Sequence, residues 1–260
     1  MFETVRNAFK IKDLRKKLLY TFFALIVVRI GSQLPVPGVK YEAIREMFSS
    51  QKSLDFFNQL TGGSFESMSI FALNITPYIT ASIIIQLLTI AIPRLEELHK
   101  DGEEGRKKLT EYTRYVTIGL SVMESAAMAI GFGNSGYLTD DKITFTSVSV
   151  IIVSLTAGSA FLMWLGEQIT EKGVGNGISI ILLYNIVSRL PNDVANLYEK
   201  FVKGATTVTN GLLGAVVIIA VLLGMVVFII VLSDGERRIS VQYSKKTQGR
   251  KLVGGQSSHI

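Results

Sequence analysis

The sequence has no cysteine and only two histidines among its 260 residues. Without cysteine, the chain forms no disulfide and offers no thiolate as a nucleophile or metal ligand. His99 and His259 lie in polar stretches and are too far apart in sequence to suggest a metal site. An intramembrane serine protease needs a histidine base within its apolar segments, so Ser135 in the stretch GNSG is better interpreted as part of a turn. No cofactor is expected.

Charge is missing from long stretches of the chain. Residues 211–232 are 22 consecutive residues without a charged side chain, and about 20 apolar residues suffice for a transmembrane helix. Polar stretches separate this segment from five others. The pattern predicts an all-α polytopic membrane protein with six transmembrane helices, at residues 18–34, 70–92, 115–132, 148–165, 178–190 and 211–232.

Basic residues alternate between the connecting stretches. The stretches 1–17, 93–114, 166–177 and 233–260 hold 19 of the 27 Lys and Arg residues, and the three stretches between them hold only 7. Cytoplasmic loops are richer in Lys and Arg than external ones. The bias therefore predicts that the N-terminus and residues 233–260 are cytoplasmic. Most of the net charge of +6 is then a topology signal rather than a sign of nucleic-acid binding.

Two of the apolar segments are unusual. The second is interrupted at Pro77, behind the small and polar stretch TGGSFESMS at residues 61–69. From Pro77 to Ile92 a helix would cover roughly 24 Å, which is short of the roughly 30 Å hydrocarbon core. The fifth segment is short and follows the glycine-rich stretch KGVGNG. Such interrupted spans point to a translocation path, and kinked helices packed among others are the alternative.

Arg29 and Glu124 are charged residues inside apolar segments. Arg29 is near the end of the first segment, where its long side chain could reach the interface. Glu124 lies in the middle of the third, in VMESAAM, and charges at such depth are functional candidates. A proton- or ion-coupled secondary transporter that uses Glu124 is therefore the alternative class of function.

Four stretches resemble signatures of the SecY family, the pore subunits of the Sec protein-translocation channel. They are RIGSQLPVPG at 29–38, SIFALNITPYITASIIIQLL at 69–88, FLMWLGEQITEKGVGNGISI at 161–180 and GERRISVQYSKKTQGRKLVGGQSSHI at 235–260. The resemblance runs from about residue 12 to the end. The family has ten spans in two inverted five-helix halves, so the chain resembles its N-terminal part. Residues 1–190 would form the first half, and 191–260 an external loop, the sixth helix and the start of a cytoplasmic loop.

The resemblance implies three groups of pore residues. A short plug helix over about residues 62–73, seated in the outer funnel of the pore, would include Gly62, Gly63, Ser64, Phe65, Met68 and Phe71. An apolar pore ring would include Ile75, Ile79, Ile178 and Leu182. Polar positions near the lateral gate, through which signal sequences move into lipid, would be Thr80 and Glu124.

The resemblance also implies a channel rather than an enzyme. It would translocate secretory proteins across the bacterial plasma membrane and insert membrane proteins into it. The partners would be SecE and SecG, the SecA motor or the ribosome, preproteins with signal sequences, and membrane lipid. No specific nucleic-acid binding is implied beyond contact with ribosomal RNA. The cytoplasmic contact would be made by Arg237, Arg238, Lys245, Lys246, Arg250 and Lys251.

Overall fold

The computed structural model describes residues 11–50, 55–139, 144–199, 208–236, 240–241, 246–248, 251–253 and 258–259. The chain divides into two compact units, Met1–Asn192 and Asp193–Ile260. Most of the described residues are helical. The first unit holds α1 (Lys12–Gly31), α2 (Tyr41–Ser50), α3 (Asp55–Leu60), α4 (Thr76–Ala91), α5 (Pro93–Lys100), α6 (Glu103–Asn134), α7 (Phe145–Lys172) and most of α8 (Gly177–Tyr198).

The second unit holds the end of α8, the long helix α9 (Val208–Ser233) and four short strands. β1 (Ser240–Val241) pairs antiparallel with β4 (Ser258–His259). β2 (Lys246–Gln248) pairs antiparallel with β3 (Lys251–Val253). Two of the six basic residues predicted to contact a cytoplasmic partner therefore lie in strands, Lys246 in β2 and Lys251 in β3. The other four lie outside the described residues, namely Arg237, Arg238, Lys245 and Arg250.

The apolar helices make this a multi-pass membrane protein. Three described helices are long and apolar enough to cross a bilayer, Glu103–Asn134, Phe145–Lys172 and Leu213–Ser233. The last exposes large apolar side chains along its whole length, as a lipid-facing helix does. The pair α4 and α5 would count as a fourth span. Helices also cover the first and fifth apolar segments, but α1 begins with charged residues of both signs, and α8 contains Pro191.

The second apolar segment is broken, as its sequence predicts. Helix α4 begins at Thr76, with Pro77 in its first turn, where the N–H that proline lacks would have no helical partner. The structure adds a second break that the sequence analysis does not include. Ile92 is extended, with φ −113° and ψ 113°, a conformation favoured in the residue before proline. The chain therefore turns by 103° between α4 and α5.

The predicted plug helix over residues 62–73 is wrong as secondary structure. Residues 61–75, called here the turn segment, form successive turns, and the nearby helix α3 ends at Leu60. Gly62 and Gly63 have φ of 65° and 89°, and Met68 and Asn74 have φ of 41° and 53°. These left-handed conformations interrupt an α-helix, so the segment cannot form a continuous one.

Two apolar clusters form the core of the first unit, and the turn segment contributes to both. Met68, Ala72 and Leu73 are buried in the first cluster together with Ile44, Ile151 and Leu155. Phe71 and Ile75 are buried in the second together with Val28, Leu162 and Ile181. The side chains of the turn segment are thus divided between the two clusters, which fixes the segment among α1, α2, α7 and α8.

Helix α6 presents one residue in every four to its neighbours. These buried positions are mostly small, namely Gly105, Leu109, Thr113, Thr117, Ser121, Ser125 and Ala129. Small residues at a four-residue spacing let two membrane helices approach closely. A hydrogen-bond distance of 3.2 Å joins the hydroxyls of Ser125 on α6 and Thr156 on α7. The two longest helices of the first unit therefore form a tightly packed pair.

Candidate functional site

Two polar cavities open in the first unit. The arginine cavity has a volume of about 490 Å³, and its lining includes Arg29, Arg45, Gly62, Glu66, Ser188 and Arg189. The Tyr78 cavity has a volume of about 510 Å³, and its lining includes Tyr78, Ile79, Ser82, Arg114, Glu167 and Ile178. Arg114 and Glu167 form an ion pair at 2.8 Å. Within the described ranges, no cluster of three or more histidine or acidic side chains is placed to bind a metal ion.

Helix α8 runs from one cavity to the other. Ile178 in its first turn lines the Tyr78 cavity, and Arg189 lines the arginine cavity. The helix rises roughly 16 Å between these two residues. Leu182 and Asn185 lie between them on the helix. The stretch of protein that separates the two cavities therefore includes the predicted ring positions on α8.

The structure brings three of the four predicted ring residues into one apolar cluster. Ile75 is 1% exposed and belongs to the second cluster, and the half-buried Ile79 and Ile178 pack against that cluster. Glycine at position 166 of α7 leaves room for the Ile178 side chain, because a Cβ at residue 166 would lie 2.4 Å from the Ile178 Cδ1. Leu182 is half-buried, one turn after Ile178. A constriction lined by these residues would be apolar.

A chain of buried amides lies at the start of α4. The Asn185 amide donates from Nδ2 to the Asn74 Oδ1 at 3.1 Å, and the Asn74 Nδ2 donates to the Leu60 carbonyl at 3.0 Å. Both asparagines are buried. This chain links the end of α3, the start of α4 and the middle of α8. Asn74 has the left-handed conformation that asparagine tolerates better than most residues.

A second polar group surrounds Glu66. Its carboxylate accepts from the Asn58 Nδ2 at 2.7 Å and pairs with the Arg189 Nη1 at 3.2 Å and the Arg45 Nε at 3.5 Å. Partial burial alone would raise the pKa of Glu66. The hydrogen bonds from Asn58 and Arg189 and the charges of both arginines outweigh burial, so the pKa lies below its ordinary value of 4.5. Glu66 is therefore charged at neutral pH.

Backbone contacts also hold the turn segment. The Val36 N–H donates to the Met68 carbonyl at 2.8 Å, and the Ile70 N–H donates to the Leu34 carbonyl at 2.9 Å. These two bonds form a short antiparallel bridge with the chain that follows α1. On another side, Gly158 of α7 comes so close that a Cβ there would lie 2.0 Å from the Ile70 carbonyl oxygen.

The remaining predicted plug residues are distributed within the same segment. Gly62 and Gly63 form its first turn, Ser64 and Met68 are buried, Phe65 packs against the first cluster and Phe71 belongs to the second. Asn58, Glu66, Asn185 and Arg189 were not among the predicted site residues. Two polar residues four apart in an apolar segment, Asn185 and Arg189, are the signal that could have indicated them.

The two predicted gate residues lie on adjacent helices. Thr80 is on α4 and Glu124 is on α6, and these helices pack against each other. Both side chains are half-buried. Among the residues that the structure describes, Glu124 has neither a hydrogen-bond nor an ion-pair partner. Arg29, the other intramembrane charge, is exposed and donates from Nη1 to the Gly62 carbonyl at 3.4 Å.

Comparison with known proteins decides the family. Residues 69–260 match the SecY family. The chain belongs to the SecY family. The protein translocase subunit SecY of Halalkalibacterium halodurans is 44% identical over 269 residues, which cover 100% of this chain and 61% of that protein. The SecY of Escherichia coli K12 is 43% identical, and the match covers 95% of this chain and 56% of that protein. The SecY of Buchnera aphidicola is 43% identical, with 95% and 70% covered.

Solved structures agree on the fold. A structure of a protein-conducting channel superimposes with a TM-score of 0.54 at 18% identity, covering 94% of this chain and 52% of that one. Sec61 from a canine ribosome–channel complex of the endoplasmic reticulum superimposes with a TM-score of 0.54 at 18% identity. The match covers 87% of this chain and 49% of that one. This SecY-family chain therefore has the channel fold over the matched part, and it spans between about half and two thirds of the length of most of these relatives.

Proposed function

We propose that this SecY-family chain is the N-terminal part of the pore subunit of a bacterial protein-conducting channel. The channel moves secretory proteins across the plasma membrane and inserts membrane proteins into it. The observation that carries this proposal is an apolar cluster, at the start of helices α4 and α8, between two polar cavities. Six spans with cytoplasmic ends, five of them in residues 1–190, fit the basic loops and the six apolar segments.

The apolar cluster suits a seal. A pore that passes a polypeptide must hold back ions when it is idle. Ile75, Ile79, Ile178 and Leu182 have no donor or acceptor that could replace the hydration shell of an ion, and apolar constrictions of this kind close by dewetting. Isoleucine is stiff at χ1, so the ring keeps its shape at rest while the helices separate around a substrate.

The turn segment suits a plug. It has no helix or strand of its own, and it lies between the arginine cavity and the apolar cluster. Its removal would join the cavity to the constriction. The proposed plug keeps the position that the family resemblance implies, about residues 62–73, although its conformation is a series of turns.

The partners and the gate follow from the same proposal. Thr80 and Glu124 lie at the lateral gate that admits signal sequences to lipid. SecE and SecG complete the channel. The basic residues of 237–251 face the cytoplasm, where they attract SecA or the ribosome and its RNA. The alternative of a proton- or ion-coupled transporter rests on Glu124 alone, whereas the channel accounts for the cluster, the cavities and the turn segment together.

Ring substitutions test the proposal. In the complete channel that contains this chain, Ile75→Asn with Ile79→Asn places amides in the constriction, so resting ion current in a planar bilayer should rise while export is retained. Leu87→Asn, at a 62% exposed position on α4, is the matched control and should leave the current unchanged. If the ring variants pass no more resting current than the parent channel, even when residues 62–73 are also deleted, the seal lies elsewhere.

A further inference from the structure

One stripe of helix α8 carries two different kinds of residue. Ile178, Leu182, Asn185 and Arg189 follow each other at spacings of four, three and four, which places them on one face of a helix. The first two are the proposed ring positions. The last two contact the turn segment. The same rigid helix face therefore touches both the proposed constriction and the proposed plug.

The turn segment is shaped to receive these two polar residues. A Cβ at Gly62 would lie 3.0 Å from the Asn185 carbonyl oxygen and 3.1 Å from its Cα, and a Cβ at Gly63 would lie 2.6 Å from the Arg189 Nη1. Both glycines also have a positive φ, which other residues rarely adopt. Each glycine is thus fitted to one of the two α8 residues.

Asn185 and Arg189 have few alternative partners for the hydrogen bonds that they make to the turn segment. Asn74 and Asn185 are buried, and a buried amide that loses its partner costs free energy unless water reaches it. Arg189 keeps about a quarter of its side chain exposed, and its Nε is buried without a hydrogen-bond partner among the described residues. Its bond to Glu66 is therefore its main compensation at this site. Movement of the segment away from α8 breaks both contacts at once.

We propose that Asn185 and Arg189 form a latch that holds the turn segment closed and couples its release to the opening of the ring. They are positioning residues, since they act through the segment. This inference rests on the proposed function, in which the segment is the plug. Because ring and latch share one face of α8, a movement of α8 that widens the constriction also withdraws the latch, and the two barriers open together.

Charge reversal and its rescue test the latch in the complete channel. Arg189→Glu and Glu66→Arg should each raise the resting open probability in a planar bilayer about tenfold, the size of effect seen for residues coupled in one ion-pair network. The double variant Arg189→Glu/Glu66→Arg should return to within about threefold of the parent, because the pair is restored. Asn185→Ala should behave like the single reversals, and Arg189→Lys should fall between them and the parent.

A chemical probe measures the segment without current. The chain has no cysteine and Ser64 is 2% exposed, so Ser64→Cys should react slowly with a membrane-impermeant maleimide. The two single reversals should accelerate labelling, and the double variant should slow it again. Lys100→Glu, which breaks the exposed ion pair of Lys100 with Glu96, is the matched control for charge reversal and should change neither current nor labelling.

Deletion of residues 62–73 separates the two levels of the proposal. If the deletion leaks but the charge-reversal variants are as tight and as slowly labelled as the parent, the latch is overturned. The plug is retained in that case. A double variant no better than either single one also overturns the latch, since that result shows general damage. No leak on deletion overturns the plug itself. Leak and labelling in both singles, with rescue in the double variant, supports the latch.

Discussion

The pair α6–α7 and the turn segment are held in opposite ways. In α6 the seam hydroxyls bond within their own helix, as Thr113 does to the Leu109 carbonyl at 2.9 Å and Thr117 to the Thr113 carbonyl at 2.7 Å. Close packing of small residues, the contact of the Ser125 and Thr156 hydroxyls and the Arg114–Glu167 ion pair join α6 to α7. The turn segment instead depends on side chains that come from α1 and α8, on a two-bond bridge and on its own buried side chains.

The difference teaches which part of the molecule can move. A seam of small residues along two long helices opens only if the helices separate, so its contacts are lost together. The polar contacts of the turn segment are discrete, and its side chains can leave the two apolar clusters without separating α6 from α7. We therefore treat α6–α7 as the fixed frame and the turn segment as the removable part.

The largest expected effect comes from a substitution where frame and segment meet. Gly158→Val puts side-chain atoms where the Ile70 carbonyl lies, 2.0 Å from the added Cβ. We expect a loss of about 3 kcal/mol in stability, at the upper end for overpacking, and also a leak, because the segment cannot seat. Thermal unfolding in detergent and bilayer current measure the two effects. Gly119→Ala, with no heavy atom within 4 Å of the added Cβ, is the control, and equal behaviour of the two variants would contradict the close contact.

The next effect separates the frame from the segment. Thr117 is fully buried in the α6 seam, so Thr117→Leu should lower stability by about 2 kcal/mol through overpacking. Current through the channels that remain folded should match the parent, since no contact of the turn segment changes. Ile118→Leu, at a 41% exposed position on the same helix, is the control for unfolding. A leak in Thr117→Leu at unchanged stability would assign the seam to gating.

Acid should loosen the turn segment through Glu66. The pKa of Glu66 lies below 4.5 because Asn58 and Arg189 hydrogen-bond its carboxylate and the Arg189 and Arg45 charges attract it. Its stabilising contribution is therefore complete above the ordinary pKa and is lost as the pH falls through the lowered one. Resting current should rise only below about pH 4.5, and Glu66→Gln should remove that rise because an amide does not titrate. A rise of equal size in the Gln variant would assign the acid effect to another group.

The smallest effect is expected at Glu124. If Glu124 is a gate residue, Glu124→Gln keeps its shape and polarity, and export of a signal-sequence precursor into membrane vesicles should stay within about twofold of the parent. Stringency towards defective signal sequences is the property expected to shift. A complete block of export, in a protein that still inserts and assembles, would count against Glu124 as a gate residue, whereas loss of transport of a small solute would favour the coupled-transporter alternative.

The sequence predicts the features that depend on local chemistry. Apolar runs locate the six segments, each of which contains a helix, and Pro77 locates the start of α4 because proline suits the first helical turn. Pro93 carries the same kind of information about the bend after Ile92. The family motifs predict the SecY assignment, which the comparisons confirm.

The sequence does not predict what depends on distant residues. The left-handed Met68, which interrupts a helix over 62–73, is held by packing. The left-handed Asn74 is held by Asn185, which is 111 residues away. The partner of Arg189 is Glu66, 123 residues away. A single sequence contains no local pattern that pairs such residues. The short strands of the second unit were missed as well, since they have only two or three residues each.

The most direct test of a removable segment in a fixed frame is amide hydrogen exchange during translocation. In the complete channel at rest, the Met68–Leu73 amides and the α6 seam should both exchange slowly. With a precursor arrested in the pore, exchange in residues 61–75 should accelerate strongly, while residues 113–125 of α6 stay protected. Acceleration in both regions together, or continued protection of 61–75 around an arrested precursor, would contradict the account.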